Sequence, residues 1–391
     1  MKKRILSILL LCCMVLTLLP TTAFAADKID EQFTLAPGGV YYFDLSGVGI
    51  PGTVNDALPG KTMHYVPFTY VGTVDAYSLK NEDDSSTQPY AHSLFVADYA
   101  VTHTANWNTL NDASLIFGKN YTAGGVSYTL RAPSVGGKSI GSGESQRGTP
   151  QSNEWDRLLD KKDEYIKNWS GIYSWGQDTS NIESGRRAVR GYNSTRNWYD
   201  NNATSSDPIL GFRPVLEVLS SGTLGSDGLK AVTLDLGGGK LGGSSENIRI
   251  IVKSGESFAA PASDGLTRPD GNTGRYLMWL DGNGNSYEPG GSVPADVTEL
   301  TVQWTAPTYA VTLHTNGGTI ADGKDVTGYT YGVGATLPTD VTRTGYTFKG
   351  WYDNEGLTGD PVTAIGDTET GNKEYWAKWE INQYTVTVKP E

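Results

Sequence analysis

The sequence predicts an α+β protein in which strands outnumber helices. Glycine, threonine, tyrosine and tryptophan are abundant, whereas strong helix formers are sparse. One stretch, Trp155–Trp169, places apolar residues at helical spacing with charged residues between them, which predicts a single amphipathic helix. The C-terminal part of the chain repeats itself with a period of about 75 residues, which favours small tandem domains.

The N-terminus has the three parts of a secretory signal. Residues 2–4 are basic, and residues 5–19 form an apolar run that is short for a membrane span. Residues 23–25 fit the small-x-small cleavage pattern, so the mature chain is expected to begin at Ala26. These features predict a secreted protein.

Cysteine usage and charge narrow the possible chemistry. Cys12 and Cys13 are the two cysteines, and both lie in the signal, so the mature protein has no disulfide, thiolate metal site or cysteine nucleophile. The whole chain has a formal net charge of −12, and loss of the basic signal makes it more acidic. This charge disfavours nucleic acid and anionic membrane or wall polymers as partners. No later apolar run is long enough to span a membrane.

Short apolar and aromatic runs predict strands in the first half of the chain. These runs are Val40–Phe43, Met63–Tyr77, Ser93–Val101 and Val126–Leu130. Residues 136–148 are rich in glycine and serine and are interpreted as a loop, and Thr149 and Pro150 as the start of the helix. Gly171–Asp178 is interpreted as a turn.

Arg187–Leu219 is the stretch with the strongest binding signal. Its apolar ends predict strands, and a polar, aromatic insert lies between them. Rigid aromatic rings and amides are typical of recognition surfaces, so the insert is predicted to contact a ligand. The alternative is a solvated loop that Trp198 anchors to the core; Trp198 and Arg190 are interpreted as structural. The residues of this mixture are Tyr192, Asn193, Arg196, Asn197, Trp198, Tyr199, Asp200, Asn201 and Asn202.

Five arginines around the insert could form an anion site. Internal ion pairs with Glu183, Asp178 or Glu217 are favoured instead, because the chain is acidic. The arginines are Arg186, Arg187, Arg190, Arg196 and Arg213.

The second C-terminal copy, Tyr309–Asn382, carries V-T-L-x-x-N-G-G, G-Y-T-F-K-G-W-Y and A-K-W. It resembles the internalin-type B repeat of bacterial surface proteins. The resemblance implies a β-grasp-like domain that works as a stalk or interaction unit. The first copy departs from the pattern, with Leu-Gly-Gly-Gly at the turn and Met278 before Trp279.

The N-terminal part resembles the formylglycine-generating-enzyme type of C-type lectin-like fold. Four segments carry this resemblance in the family's order: Arg147–Asp156, Gly171–Trp175, Arg187–Ser194 and Gly211–Arg213. The family's oxidase chemistry needs paired cysteines, which the mature chain lacks, so the resemblance implies the scaffold and no enzyme activity.

The same fold forms the ligand-binding body of variable proteins made by diversity-generating retroelements, in which the variable residues precede the final G-F-R-type strand. The resemblance therefore adds Asp207 to the binding residues. The predicted ligand-binding set is Asn193, Arg196, Asn197, Tyr199, Asp200, Asn201, Asn202 and Asp207.

Other motifs give weaker signals. Residues 137–141 fit G-x-S-x-G but lack the strand–turn–helix context of a nucleophile elbow. Residues 281–292 resemble a calcium loop but lack its Gly and Glu, so a turn is expected. His64, His92 and His103 lack the spacing of a preformed metal site. No catalytic residue, metal or cofactor is predicted.

The predicted protein is a secreted, cell-surface ligand-binding or adhesion protein of a Gram-positive bacterium. Its partner would be an extracellular protein or glycan, with possible association with the cell wall. The alternatives are an extracellular enzyme acting on glycan or cell-wall material and a purely structural stalk. The predicted segments are a signal peptide (1–25), a C-type lectin-like domain (27–220), a linker (221–228), β-grasp-like repeats (229–307 and 308–382) and the start of a third repeat (383–391).

Overall fold

The computed structural model describes residues 29–84, 88–141, 148, 152–269 and 276–389. The predicted signal peptide, the predicted helix start at Thr149 and Pro150, and part of the glycine-rich loop lie outside these residues. The chain divides into two compact units. The first comprises residues 1–232 and 249–258, and the second comprises residues 233–248 and 259–391.

The predicted α+β class is wrong, because the described residues form almost entirely β-structure. The described α-helices are short: α1 is Trp107–Asp112 and α2 is Glu154–Lys161. Two 3-10 turns, Pro59–Lys61 and Asp163–Tyr165, complete the helical structure described.

The predicted helix Trp155–Trp169 stops early because tertiary contacts override its periodicity. Lys161 binds the backbone oxygens of Val71 and Thr73 at 2.9 Å, and Lys162 is extended with φ −167°. Ile166 still packs in the same apolar cluster as Trp155. Apolar residues at helical spacing can therefore be buried together although the backbone between them is not a continuous helix.

The first unit contains two six-stranded sheets. One has the order β1-β3-β4-β12-β7-β6 and the other β10-β9-β8-β11-β5-β2. The strands are β1 Val40–Phe43, β2 Thr53–Val54, β3 Val66–Ala76, β4 Tyr90–Ala97, β5 Thr102–His103, β6 Lys119–Ala123, β7 Val126–Arg131, β8 Tyr173–Thr179, β9 Arg186–Gly191, β10 Trp198–Asn202, β11 Leu210–Phe212 and β12 Val215–Val218.

The four strands predicted in the first half of the chain are present as β1, β3, β4 and β7, with small shifts at their ends. The prediction of a turn at Gly171–Asp178 is wrong, because Tyr173–Thr179 is a buried strand in the middle of the second sheet. Its glycine and aspartate weaken the strand signal in the sequence, since these residues are depleted in strands.

Two apolar clusters fill the first unit. In the larger, Phe43 packs edge-on against Phe68 at 5.2 Å and Phe95 at 5.4 Å between ring centroids. In the smaller, Trp155 and Leu158 of α2 pack with residues of β3 and β4. Each fully buried large apolar side chain contributes about 1.5–3 kcal/mol, so these clusters are a main source of stability for the first unit.

The remaining strands are short and follow in chain order. They are β13 Leu229–Asp235, β14 Lys240–Leu241, β15 Ile248–Lys253, β16 Phe258–Ala259, β17 Leu266–Thr267, β18 Met278–Leu280, β19 Ser286–Tyr287, β20 Ser292–Val293, β21 Glu299–Gln303, β22 Thr308–His314, β23 Thr319–Ile320, β24 Gly328–Thr330, β25 Ala335–Thr336, β26 Val341–Thr342, β27 Tyr346–Tyr352, β28 Ala364–Ile365 and β29 Lys373–Ile381.

The two C-terminal copies share a strand arrangement. The 233–235 segment of β13 is parallel to β21, which is antiparallel to β18; likewise β22 is parallel to β29, which is antiparallel to β27. Equivalent indole nitrogens donate to equivalent carbonyl oxygens. These bonds run from Trp304 to Leu236 and Trp379 to Thr315, both at the first turn, and from Trp279 to Pro261 and Trp351 to Pro338.

The faces of β29 alternate as the sequence predicts. Tyr375 and Ala377 are buried in the apolar cluster of the second copy, whereas Trp376 and Lys378 lie on the other face. Within the described residues of the second unit no helix is present, and pairs of two-residue strands such as β23–β26 and β25–β28 stand beside the main sheet. The helix expected of a β-grasp is therefore missing from this described part.

Among the described residues, no helix has both the length and the apolar character needed to cross a bilayer.

Candidate ligand-contact face

The predicted binding insert is a β-ribbon at the edge of the second sheet. Its first part is a tight turn between β9 and β10, which pair antiparallel from Trp198 opposite Arg190 to Asn202 opposite Arg186. β10 is the end strand of its sheet. The chain then returns through residues 203–209 to β11, which pairs with β8 and β5.

The turn depends on two residues with positive φ. Gly191 has φ 100° and Tyr192 has φ 73°. The backbone nitrogen of Gly191 donates to the carbonyl of Asn197 at 3.1 Å, and the Asn197 side chain donates to the Gly191 carbonyl at 2.9 Å. Asn197 thus fixes the turn that presents Tyr192.

Three tyrosine rings from β8, the turn and β10 are stacked side by side; they are called the tyrosine stack below. The Tyr173 ring lies 4.8 Å from Tyr192 and 5.9 Å from Tyr199, with interplanar angles of 11° and 25°. Tyr173 is 8% exposed, whereas Tyr199 is 49% exposed. The stack therefore has a buried centre and an open outer ring.

Burial raises the pKa of the Tyr173 hydroxyl, and the neighbouring Tyr199 and Tyr192 raise it further, although the Asn197 amide acts against this. The Asn197 nitrogen lies 3.5 Å from this hydroxyl. The hydroxyl therefore stays protonated near neutral pH and can both donate and accept hydrogen bonds.

The eight residues predicted to bind ligand differ in exposure. Asn193, Tyr199, Asn202 and Asp207 are exposed, which is the position that ligand contact requires. Arg196, Asn197, Asn201 and Asp200 are less accessible: the first three are half-buried and Asp200 is only 5% exposed.

The polar atoms of Asp200 and Arg196 are engaged within the unit. Asp200 accepts hydrogen bonds from Ser180 at 2.5 Å and from Arg186 at 2.9 Å. Arg196 donates to the Asp163 carboxylate at 2.9 Å and to the Leu159 carbonyl at 3.2 Å. These contacts hold the ribbon in place.

Asn201 and Asn202 also stabilise local backbone. The Asn201 side chain accepts from the Asn202 nitrogen at 2.9 Å, and the Asn202 side chain accepts from the nitrogen and hydroxyl of Thr204. The exposed Asn202 thus fixes the chain that follows β10.

Trp198 and Arg190 have the structural positions that the sequence predicts. The Trp198 indole donates to the Gly136 carbonyl at 2.8 Å. Arg190 is fully buried and binds Asp156 at 2.8 Å. Both residues join the ribbon to the inside of the unit.

The arginines do form internal contacts, but with partners other than those predicted. Arg186 pairs with Asp200, Arg187 with Glu82, Arg190 with Asp156, and Arg196 with Asp163 and Asp160. Arg213 binds the Ala97 and Asn168 carbonyls and the Ser174 hydroxyl. The partners come from distant segments, which local sequence could not reveal.

Helix α2 supports the turn from below. The Trp155 indole donates to the Thr195 carbonyl at 2.8 Å, and Arg190 donates to the Arg196 carbonyl at 3.2 Å. The position of residues 192–197 therefore depends on how α2 is held.

The N-terminus of α2 lies in a buried cluster of four ionisable groups, His92, Arg131, Glu154 and Glu217, called the four-charge network below. Arg131 binds both oxygens of Glu154 at 2.5 and 2.8 Å and Glu217 at 2.5 Å. His92, Glu154 and Glu217 place metal-ligand atoms within 4.8 Å of one another. The guanidinium of Arg131 occupies both carboxylates, so this geometry favours an ion network over a metal site.

Three pKa shifts follow from this burial. Desolvation alone would raise the pKa of Glu154, but Arg131 and His92 together lower it to about 2. Burial lowers the pKa of Arg131 less than Glu154 and Glu217 raise it. Asp178 is also buried, and its pKa is raised to about 6 by desolvation despite hydrogen bonds from Val135 and Tyr77.

Two other sequence motifs have structural explanations. Residues 137–141 themselves lie outside strands and helices, and the Ser139 hydroxyl donates to the Gly141 carbonyl at 3.2 Å. The Asp281 carboxylate accepts from the backbone nitrogens of Asn283 and Asn285 and from the Tyr287 hydroxyl. Asp281 therefore closes a turn, as the sequence predicts.

Tyr173 is a residue of the candidate contact face that the sequence analysis did not predict. It lies in the segment interpreted as a turn, so its ring was not expected beside the ribbon. The alternation of Tyr173, Trp175 and Gln177 is the sequence signal that identifies the strand.

Among solved structures, Treponema denticola variable protein 1 aligns with 39% of this chain and 95% of its own, with a TM-score of 0.20 and 11% identity. A score this low carries no argument about the fold.

Two curated proteins of Evansella cellulosilytica are similar in sequence. One, named "Putative Gly-rich membrane protein", is 36% identical over 130 residues, which cover 32% of this chain and 14% of that protein. The other, named "Putative membrane protein", is 36% identical over 88 residues, or 22% of this chain and 13% of that protein. The chain thus spans less than a sixth of the length of either relative.

Within the second C-terminal copy, residues 309–378 match the family model of the Listeria-Bacteroides repeat domain.

Proposed function

We propose that the protein is a secreted, surface-associated ligand-binding protein without catalytic activity. The N-terminal unit binds the ligand and the C-terminal repeats act as a stalk. Within this proposal, the contact face comprises the tyrosine stack and the exposed residues Asn193 and Asn202.

The tyrosine stack is the observation that carries the proposal. Tyr173 is covered on both sides by Tyr192 and Tyr199, so the outer ring rests on a fixed support. Rigid aromatic side chains offer a large contact area at low entropic cost, and nearby amides add directional hydrogen bonds.

The ribbon is also anchored rigidly to the first unit, which favours recognition. Arg190, Trp198 and Arg196 anchor it through ion pairs and hydrogen bonds, so little conformational freedom is lost when a ligand binds. Strands that present a short turn give a more defined surface than a free loop. The ligand is an extracellular protein or glycan.

Surface association is supported by the repeat and by the relatives. Residues 309–378 match the Listeria-Bacteroides repeat, and two relatives carry names of membrane proteins. We also propose that the repeat is of the internalin B type and that the N-terminal signal directs secretion.

The binding test uses the chain from Ala26 on glycan and extracellular-protein arrays. A ligand bound by the wild type should lose at least tenfold in affinity with Tyr199→Ala and with Asn193→Ala. Ile182→Ala is the matched control, because Ile182 is 72% exposed in the same unit and lies outside the contact face. Unchanged binding by both face variants would exclude this site, and binding by the isolated repeats alone would assign the function to them.

We also propose that a diversity-generating retroelement varies the sequence of the ribbon. The test is the DNA next to the gene, which should hold a near-copy of the region encoding Arg187–Leu219 beside a reverse transcriptase. Without that arrangement, the contact face is a fixed one.

A further inference from the structure

Strand β15 lies within the first C-terminal copy, yet its residues from Arg249 onward belong to the first compact unit. It is the end strand of its sheet. The adjacent residues Ile251 and Val252 are 2% and 1% exposed. Because successive side chains of a strand point to opposite faces, β15 is covered on both of its faces.

The face of β15 that carries Ile251 contacts the first unit. Ile251 is a member of the larger apolar cluster, together with Val126 of β7. Two residues earlier, the Arg249 guanidinium lies 4.9 Å from the centre of the Tyr41 ring in β1, which places a cation over an aromatic face. The backbone nitrogen of Lys253 donates to the Gly124 carbonyl, in the turn between β6 and β7, at 2.7 Å.

The turn between β6 and β7 is shaped for the backbone of β15. Gly124 has φ 57°, and a Cβ at this position would overlap the carbonyl oxygen of Ile251 and lie 2.8 Å from the Cα of Val252. The next residue, Gly125, has φ 78°, but its Cβ would meet only the Lys253 Cβ at 3.4 Å, an ordinary contact. Only Gly124 is therefore required for the close approach of a second backbone.

Two equivalent hydrogen bonds align this strand with the second copy. The Ser254 nitrogen donates to the carbonyl of Gly228, the residue before β13. The Tyr331 nitrogen donates to the carbonyl of Pro307, the residue before β22. Ser254 thus corresponds to Tyr331, and β15 corresponds to β24.

The aligned strands differ on one face. Val252 and its equivalent Tyr329 are both buried, so the face toward the copy's own core is the same. Ile251 corresponds to Gly328, which is exposed in β24. The first copy therefore has a large apolar side chain where the second copy has none, and that side chain lies in the apolar cluster of the first unit.

We propose that the first copy is a strand donor, whose β15 completes the fold of the first unit. The acceptor surface is the Tyr41 ring and the β6–β7 turn at Gly124. The partner that this surface fits is an extended segment with a cation and an apolar side chain two residues apart, which Arg249 and Ile251 provide. This role goes beyond that of a stalk, and it does not depend on ligand binding by the tyrosine stack.

Hydrogen exchange measured by mass spectrometry, on the chain from Ala26 without ligand and in low urea, tests the proposal. In the wild type, residues 248–254 should open with the same equilibrium constant as β6 and β7. Opening of these residues together with β22 and β29, and separately from β6 and β7, would overturn the proposal. If all of these strands open together, the variants below decide.

Gly124→Ala should raise the opening constant of residues 248–254 at least about tenfold more than Gly125→Ala does, because both positions have positive φ but only the first meets a backbone. Ile251→Gly, which introduces the residue of the second copy, should raise the opening constant of β6 and β7 at least about tenfold. The reciprocal control, Gly328→Ile, should leave β6 and β7 unchanged.

Equal effects of the two alanine variants, or unchanged exchange of β6 and β7 in Ile251→Gly, would overturn the proposal. If Gly124→Ala does not fold, Ile251→Gly and the wild-type exchange still decide. Because no readout uses a ligand, a failure here is distinct from a failure of the proposed contact face.

Discussion

Gly318 lies against the indole ring of Trp379 so closely that a Cβ on Gly318 would overlap the ring. The first copy repeats this relationship between Gly239 and Trp304. In each pair the tryptophan lies near the C-terminal end of the last main strand of the copy, and its indole nitrogen donates to the carbonyl three residues before the glycine. The glycine-rich turn therefore leaves the space in which a tryptophan ring packs.

Two different sequences are compatible with this turn geometry. Asn316 and Gly317 have φ of 50° and 85°, and Gly237 and Gly238 have φ of 55° and 80°. Asparagine tolerates the left-handed conformation better than most residues, so Asn-Gly-Gly and Gly-Gly-Gly build the same turn. The departure of the first copy from the repeat pattern is conservative at this position.

Gly318→Ala should destabilise the second unit by about 3 kcal/mol, because it forces an atom into the Trp379 ring. Gly317→Ala is the control and should cost about 1 kcal/mol, since its position has space for a Cβ and only the positive φ is unfavourable. Urea unfolding followed by tryptophan fluorescence measures both. Equal losses in the two variants would contradict the ring contact.

Tyr199→Ala should change the stability of the first unit by less than about 1 kcal/mol, whereas Trp198→Ala should cost about 3–5 kcal/mol. The neighbouring residues of β10 have opposite exposures, with Trp198 buried and Tyr199 half exposed. Thermal unfolding of the two variants checks this difference. A large loss in Tyr199→Ala would make the ring a structural residue and weaken its assignment to ligand contact.

Asp200→Ala should destabilise the first unit by about 2 kcal/mol, because it leaves Arg186 and Ser180 without their acceptor. The measurement is urea unfolding, with Asp207→Ala as the exposed acidic control from the same ribbon. Any loss of ligand binding in Asp200→Ala must therefore be compared with its loss of stability. A neutral effect on stability would show that the carboxylate is free to contact ligand.

Removing either partner of the buried Arg190–Asp156 pair should cost about 3–5 kcal/mol. The double variant Arg190→Met with Asp156→Asn should recover part of this loss, because neither charge then remains alone in the interior. A double-mutant cycle by urea unfolding should give a coupling of about 1–3 kcal/mol. Additive losses would show that the two side chains act independently.

The strands were predictable where residues alternate or form β-branched and aromatic runs. β1, β3, β4 and β7 follow from such runs, and the alternation of β29 follows from Tyr375, Trp376 and Ala377. The helix was predicted to be longer than it is, because Ile166 and Trp169 fit a helical period. Both side chains pack on the same apolar cluster from irregular backbone that follows the helix. Periodicity reports which residues are buried, and tertiary contacts decide the backbone that buries them.

The ribbon of the candidate contact face was predictable as a region, but the exposure and partners of its single residues were not. A dense polar and aromatic composition marks the ribbon, yet Asp200 and Arg196 find partners in segments that no local pattern links to them. Tyr173 reaches the face from β8, about 20 residues earlier in the chain. Partner identity across a sheet depends on register and topology, which one sequence does not specify.

The four-charge network makes the stability of the first unit sensitive to acid. The pKa of Glu154 is about 2 in the folded unit and about 4.5 without the network, because Arg131 and His92 outweigh the desolvation that acts alone to raise it. A depressed folded-state pKa stabilises the fold above pH 4.5, and that stability is lost as the pH falls from about 4.5 to 2. The loss should amount to about 3 kcal/mol.

Glu154→Gln should remove this pH dependence and lower the stability already at pH 6, because Arg131 then lacks a full counter-charge. Urea unfolding between pH 6 and 2 measures the effect, and Glu183→Gln is the control, since Glu183 is exposed in the same unit. The wild type and the control should lose stability in parallel, while Glu154→Gln changes little over this range. The same acid-induced loss in Glu154→Gln would mean that another carboxylate sets the limit, with Glu217 the first to test because it shares the Arg131 guanidinium.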